Sequence, residues 1–416
     1  MQVMLSVEDA LQMIVDTVRP SNACEVELSA ALGHVLAADV LSTIDSPPFD
    51  KSMMDGYAVR TADLNGGATT LHVVAEVTAG MTPQRGVGRN EAIRIMTGAP
   101  IPEGADAVVR IEETEFDESA GTVRIESSGV DSGTNIIRRG ASMRAGERVL
   151  PAGRKLRAQE LGALAESGEH RVSVLPIPEI SVLATGDELV PIDQQPGPGQ
   201  IRNSNETMLL AQARAAGCRA KSLGIARDRR EELEERIREG LKSDILCLSG
   251  GVSAGKFDLV PSALAACGVR QVFHKVQVKP GKPVWFGVLE PEKSADGRPR
   301  CIFGLPGNPV SSMVCFELFV RAAVNRLQGI EPATPRTTAS KIGTRFHHSG
   351  DRPTYFPARL EWTVDGAVAT PLDWKGSSDL RSTVDAQALI AFPAGDREYR
   401  QGDRIEVVPL GAACGL

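Results

Sequence analysis

Between residues 178 and 328, short apolar runs of strand length alternate with amphipathic runs of helix length, and no other feature restricts the fold as much. EISVLATG (179–186) reads as a strand, NETMLLAQARAAG as a helix ended by Gly217, CRAKSLGIA as a strand and REELEERIREGL as a charged amphipathic helix. DILCLSGG, a helix over LVPSALAACG, strands at QVFHKVQV and VWFGVL, and CIFGLPGNP opening a long helix complete the segment. Parallel strands need crossover connections, and helical crossovers cover both faces, so the rhythm predicts a mostly parallel sheet clad by helices on either side. Leu209, Leu210, Val260, Leu264, Val314 and Phe316 fall at helical spacing and are assigned to its core.

The flanking sequence has a different grain. Ser6 followed by Ala10, Leu11, Ile14, Val15 and Val18 predicts a capped helix that stops before Pro20. LHVVAEV, AIRIMTG, ADAVVRIEETEF and GTVRIE, separated by turn residues, predict a small β-rich domain over 46–139. A second helical stretch, Ala158 to Ser167, is closed by Gly168. Residues 1–45 together with 140–177 are expected to form a helical linker or dimerisation region, 178–328 the αβ domain, and 329–416 a small C-terminal β-barrel or sandwich built from ARLEWTV, GAVATPL, ALIAFP and RIEVVPL.

Length supports several domains, since 416 residues exceed one ordinary hydrophobic core. A net charge of -7 argues against broad nucleic-acid binding, which needs a basic surface to displace phosphate counterions. The seven cysteines are scattered and never form a C-x-x-C pair, so reduced thiols are expected, with neither a disulfide framework nor a zinc site. The opening MQVMLSVEDALQMIV lacks a basic leader followed by an apolar core, and no later run is apolar enough to span a bilayer. A cytoplasmic location without membrane attachment is the expectation.

Ligands of open α/β sheets collect beyond the carboxyl ends of the strands, and the unusual residues of 178–328 fall there. Thr185, Gly186, Asp187 and Glu188 end the first strand, Asp228 follows the second, and SGGVSAGKFD follows the third, with Ser249, Gly250, Gly251, Ser253 and Asp258. Lys275 and Lys279 are four apart, with Lys282 close behind in KPGKP. The LPGNP turn, with Pro306, Gly307, Asn308 and Pro309, opens the last helix, whose first amides and positive dipole end suit an oxyanion. Carboxylates facing lysines suggest Mg2+ bridging a phosphorylated substrate, because Mg2+ takes oxygen ligands and keeps several waters. Its candidate ligands are Glu188, Asp228 and Asp258. Read singly, Asp187 or Asp228 could equally be a helix cap and KPGKP a solvated turn; four special turns at successive strand ends are what those plain readings leave unexplained.

At this point the chain closely resembles the molybdopterin molybdenumtransferase family, that is, bacterial MoeA and the E domain of gephyrin. The resemblance runs over nearly the whole length. SPPFDKSMMDGYAVR (46–60) and RIMTGAPIPEGADAVV (94–109) resemble two N-terminal signatures that set this family apart from single-domain relatives. ATGDEL, IRNSN, SGGVSAGKFD, VKPGKPVWFG and GLPGNPVSS follow the family's order and spacing. The resemblance implies that the chain inserts molybdate into adenylated molybdopterin with Mg2+-dependent release of AMP. It implies catalytic roles for Asp55, Thr97, Glu188, Asp228, Asp258, Lys275 and Lys279, with Arg352 and Ser377 touching substrate. It further implies a homodimer of four-domain subunits whose cleft faces elements of the other subunit, and transient contact with the adenylyltransferase that supplies the substrate and with apo-molybdoenzymes that take the product. Displacing oxo ligands from molybdate needs protons, and Asp55 or a neighbouring carboxylate is expected to supply them.

Some positions depart from the pattern. After NIIRRG the family usually carries an acidic pair, where this chain has Ala141 and Ser142, which puts metal affinity or turnover at stake. Ser378 stands where Gly is usual, Arg381 where Ser is usual, and Pro357 where a basic residue is common. Two alternatives follow: a molybdopterin adenylyltransferase acting on molybdopterin and ATP, against which the N-terminal signatures argue, or a low-activity paralogue or scaffold.

Overall fold

The computed structural model describes residues 4–64, 67–126, 129–252, 259–294 and 296–411. They fall into two compact units, one of Met1–Cys24, Gly33–Ala37 and Ser173–Leu416, the other of Glu25–Leu32 and Ala38–Val172. Helix α1 (Val7–Thr17) begins as its sequence predicts, with Ser6 Oγ accepting the Asp9 N–H at 3.0 Å, and it belongs to the first unit.

The second unit is built on a six-stranded sheet. Its strands are β1 (Gly56–Val59), β2 (Ala68–Val77), β3 (Glu91–Ile95), β4 (Ala107–Arg110), β5 (Thr114–Asp117) and β6 (Thr122–Glu126), in the order β4-β1-β3-β2-β6-β5. Alternation sorts the side chains: Tyr57 and Val59 enter one apolar cluster and Ala58 the other. ADAVVRIEETEF reads as one strand in sequence but is split by a tight turn at Ile111–Glu113, where the Ile111 N–H donates to the Asp55 carbonyl at 3.0 Å. Helix α2 (Ala158–Glu166) lies in this unit, its start held by Glu160, which accepts from Arg157 and Arg154.

The first unit contains the predicted αβ domain. Its elements are β7 (Glu179–Thr185), α3 (Ser204–Ala215), β8 (Arg219–Ala226), α4 (Arg230–Gly240), β9 (Ile245–Ser249), α5 (Val260–Ala266), β10 (Arg270–His274), β11 (Trp285–Leu289) and β12 (Arg300–Leu305). The last helix runs as α6 (Pro309–Cys315), a wider π turn over Phe316–Val320, and α7 (Arg321–Leu327). The strand order is β8-β7-β9-β12-β11-β10, parallel from β8 to β12 and antiparallel over the last two pairs.

Apolar runs without polar alternation mark strands buried on both faces, and the core shows it. Ile180, Val182, Ile245, Cys247, Phe303 and Leu305 face α1, α3, α6 and α7, while Leu183, Leu246, Leu248 and Ile302 face α4 and α5. Helix α1 is thus one more covering element of this sheet, its Ala10 and Ile14 fully buried against α7 and the π turn. Beyond it, β13 (Thr338–Ile342), β14 (Thr354–Thr363), β15 (Gly366–Pro371), β16 (Ala388–Phe392) and β17 (Arg404–Pro409) close a barrel in the order β13-β15-β14-β16-β17. The C-terminal β domain is therefore a barrel, which abolishes the edges an open sheet would expose. No helix among the described residues is long and apolar enough to cross a membrane.

Candidate functional site

The chain runs from β7 out to β8 and then back past β7 to β9 on its other side, so the topological switch point lies between β7 and β9, where the connections diverge and leave a crevice. A cleft of about 820 Å3 opens there. Of the residues picked out from sequence, Thr185, Gly186, Glu188, Asp228, Ser249, Gly250, Gly251, Pro306, Gly307, Asn308 and Pro309 line it. Ser378, noted in the sequence as a departure from the family pattern, lines it too, as do Asn203, Asn205 and Leu380, which were not picked out as site residues. Asn203 and Asn205 lie in the quoted IRNSN, where a helix cap was the only signal. Asn203 caps α3, and the Asn205 amide donates to Ser249 Oγ at 2.8 Å and to the Gly307 carbonyl at 2.7 Å, joining the SGG and LPGNP turns.

Asp187 stands outside the cleft lining and acts as a tie: its Oδ1 accepts the Asp228 N–H at 3.3 Å. Glu188 and Asp228 carry the cleft's carboxylates. Ser253 and Asp258 lie outside the described residues. Among the described residues no three His, Cys, Asp or Glu side chains form a metal cage. Two exposed carboxylates in one cleft still fit Mg2+, which is commonly held by one or two carboxylates and completed by substrate phosphates and water.

A second cleft of about 540 Å3 adjoins the first, sharing Pro283, Pro306 and Asn308 as its wall. Lys279, Lys282, Arg352 and Ser377 line it, joined by Lys375 and Trp374, which the sequence reading did not single out. Its described lining holds four cationic side chains and no carboxylate. The KPGKP turn is stapled to the barrel: the Lys279 N–H donates to the Pro353 carbonyl at 2.9 Å, and the Tyr355 N–H to the Lys279 carbonyl at 2.8 Å. Lys275 is different. It sits at φ +71°, its N–H donating to Val284, and it lines neither cleft.

The start of α6 offers fewer amides to an anion than its sequence suggests. Pro309 has none, the Val310 N–H donates to the Ser377 carbonyl at 3.0 Å, and the Ser312 N–H to Asn308 at 3.0 Å. Asn308 Nδ2 also donates to Ser377 Oγ at 2.9 Å, so the barrel loop closes over this helix end.

In the second unit, Asp55 and Thr97 meet. Asp55 Oδ1 accepts the Thr97 N–H and the Thr97 hydroxyl, each at 2.7 Å. The backbone N–H, then the hydroxyl, hold the Asp55 carboxyl below the usual carboxylate range. Asp55 thus acts as the acceptor toward Thr97 within this unit. The six described cysteines are free thiols, and burial pushes Cys301 up to about 12.

Comparison with known proteins agrees with this architecture. Residues 5–168 match the MoeA N-terminal region (domain I and II), 181–326 a probable molybdopterin binding domain, and 339–410 the MoeA C-terminal region (domain IV). The molybdopterin molybdenumtransferase of Staphylococcus epidermidis is 32% identical over 409 residues, covering 97% of this chain and 95% of the relative. That of Staphylococcus aureus strain Mu50 is 32% identical over 412 residues, with the same coverage of 97% and 95%. A crystal structure of a molybdopterin biosynthesis MoeA protein from Pyrococcus horikoshii superposes with a TM-score of 0.80 at 30% identity, covering 98% of this chain and 99% of that one. Similar over its whole length in sequence and in fold, the chain belongs to the molybdopterin molybdenumtransferase family.

Proposed function

We propose that this protein inserts molybdate into adenylated molybdopterin with Mg2+-dependent release of AMP, giving molybdenum cofactor. The observation that carries the reading is the pair of adjoining clefts, one lined by two carboxylates and Arg202 and one by four cations, meeting at Pro283, Pro306 and Asn308. A substrate with a phosphoanhydride and a flat pterin, and a second substrate that is an oxyanion, need such neighbouring surfaces.

Glu188 and Asp228, with Asp258, would hold Mg2+ against the phosphates. When bound, the ion neutralises phosphate charge. Ser249, Gly250 and Gly251 let the substrate approach the backbone at the switch point. Lys279, Lys282 and Arg352 stabilise the oxygens of phosphate and molybdate, with Lys275 as a more distant contributor to the local potential. Hydrolysis of the phosphoanhydride consumes one water and leaves AMP and the pterin phosphate. Each oxo ligand displaced from molybdate by a dithiolene sulfur leaves as water after taking up two protons, with Asp55 or a neighbouring carboxylate as the proposed acid. Asp55 orients Thr97 for a part in the same site across a homodimer of cytoplasmic subunits. The division into 1–45 with 140–177, 46–139, 178–328 and 329–416, and the transient contacts with the adenylyltransferase and with apo-molybdoenzymes, belong to the same proposal.

The test is anaerobic incubation with adenylated molybdopterin, Mg2+ and molybdate, following AMP release and reconstitution of an apo-molybdoenzyme. Molybdate-dependent AMP release is expected. No release beside an active control sinks the reading, and rapid adenylylation of molybdopterin by ATP without molybdate replaces it with the adenylyltransferase.

A further inference from the structure

The TGDEL turn carries a backbone problem that one side chain solves. From Gly186 the chain leaves the six-stranded sheet; Leu189–Val190 pairs in parallel with Ile201–Arg202, and the carbonyls outside that short ladder must find donors elsewhere. The Glu188 carbonyl accepts from Ile201 N–H at 2.8 Å and the Val190 carbonyl from Asn203 N–H at 2.9 Å. The other three face a single atom: Arg227 Nη1, with its two N–H groups, donates to the carbonyls of Asp187 at 2.9 Å and Leu189 at 3.0 Å and shares a hydrogen with that of Gly186 at 3.4 Å, which also accepts the Leu189 N–H at 3.4 Å. Charged donors make the stronger hydrogen bonds, and three carbonyl dipoles aimed at one point repel one another unless a cation sits between them.

The clamp bears on the cleft because of what it brackets. Glu188 lies between two of the clamped carbonyls, and its carboxylate folds back over the Cα of Gly186, so its position follows the turn's backbone. Asp228 is the next residue after Arg227, and its N–H donates to Asp187 Oδ1 at 3.3 Å. The Gly186 N–H adds a bond to the Ala226 carbonyl at 3.3 Å. The ends of β7 and β8 are thereby tied into one body that presents both carboxylates to the same space.

We propose that Arg227 is a positioning residue that fixes the Glu188–Asp228 separation through this carbonyl clamp, an inference that rests on the reading of those carboxylates as the Mg2+ and phosphate side of the site. Arg227 touches neither cleft; it acts through the backbone of 186–189.

The test compares full-length protein with Arg227→Ala, Arg227→Lys and the control Arg230→Ala, whose guanidinium pairs with Glu234 on the same helix. Two readouts are taken: amide hydrogen exchange of the peptide containing 186–190, and kcat and KM for AMP release, each with and without millimolar ethylguanidinium. Arg227→Ala is expected to speed exchange at 187–189 and to lower kcat/KM by roughly 10- to 100-fold, the cost of losing a group that orients ligands. Arg227→Lys stays impaired because its ammonium, on a stem one bond shorter, falls short of the Nη1 position that reaches the carbonyls. Ethylguanidinium restores at least part of both readouts in Arg227→Ala alone. Exchange and kcat/KM of Arg227→Ala within about twofold of wild type, or a loss that ethylguanidinium leaves unchanged, overturns the clamp. Wild-type protein that releases no AMP sinks the proposed function instead, and the exchange arm with its rescue still decides the clamp.

Discussion

Gly250→Ala perturbs the switch-point cleft at its tightest backbone contact. Gly250 stands at φ +96°, and a Cβ built there would lie 2.6 Å from the Thr185 carbonyl oxygen and 3.0 Å from Thr185 Oγ1. A left-handed or wider positive φ costs an L residue about 1–3 kcal/mol. The clash adds to that, because the neighbour is the end of β7 and not the tip of a flexible side chain. Restoring ordinary contact of about 3.4 Å requires the SGG turn and the TGDEL strand end to part by about 0.8 Å. Misplacement of that size in a site that works by positioning lowers turnover by about 100-fold. Gly199→Ala is the matched control: its φ is +75° and nothing lies within 4 Å of an added Cβ, so it carries the backbone term alone. Urea unfolding followed by tryptophan fluorescence reports the correct unit, since Trp285, Trp362 and Trp374 all fall within Ser173–Leu416. Gly250→Ala should lose more stability than Gly199→Ala and lose molybdate-dependent AMP release. Stability within about 0.5 kcal/mol of wild type together with full activity would refute the reasoning.

Three further outcomes follow from other contacts. Lys279→Ala removes a cation from the carboxylate-free cleft and should lower AMP release by about 10²-fold, a larger change than Ala141→Glu produces; equal effects would contradict the assignment. Glu317 is buried at the π turn, with Arg321 Nε at 2.7 Å and Gln212 Nε2 at 2.7 Å, so Glu317→Ala should cost about 3–5 kcal/mol in urea unfolding, while replacing Glu317 and Arg321 together by leucine costs less. The arginines 157 and 154 pull Glu160 down to about 2 from its ordinary 4.5. Its folded value lies below its unfolded one, so its contribution is complete above about pH 4.5 and fades as pH falls toward about 2. Protection factors in α2, referred to the intrinsic exchange rate at each pH, should therefore fall over that window in wild type and respond less in Glu160→Gln; identical profiles would remove Glu160 from the account.

Much of the fold was readable in advance because each cue is local. Residues buried on both faces of β7, β9 and β12 leave continuous apolar runs, and Ser6 announces α1 through a bond spanning three residues. The same locality explains the shortfalls. α1 shows an apolar stripe whatever covers it, so its periodicity could not say that the cover is α7 and the π turn. Lys275 and Lys279 look equivalent in KVQVKPGKP, yet the turned backbone at Lys275 leaves only Lys279 lining a cleft.

The sequence by itself determined the alternation that makes the sheet, the turns that end its strands and the family to which those turns belong, because period and motif are properties of neighbours along the chain. Only the tertiary structure decided that the signature residues divide between a carboxylate cleft and a cationic one, that the barrel loop at Ser377 caps α6, and that Arg227 holds the TGDEL turn across some forty residues of sequence. Those are consequences of where strand ends arrive in space, which burial of the whole sheet sets and no local pattern records.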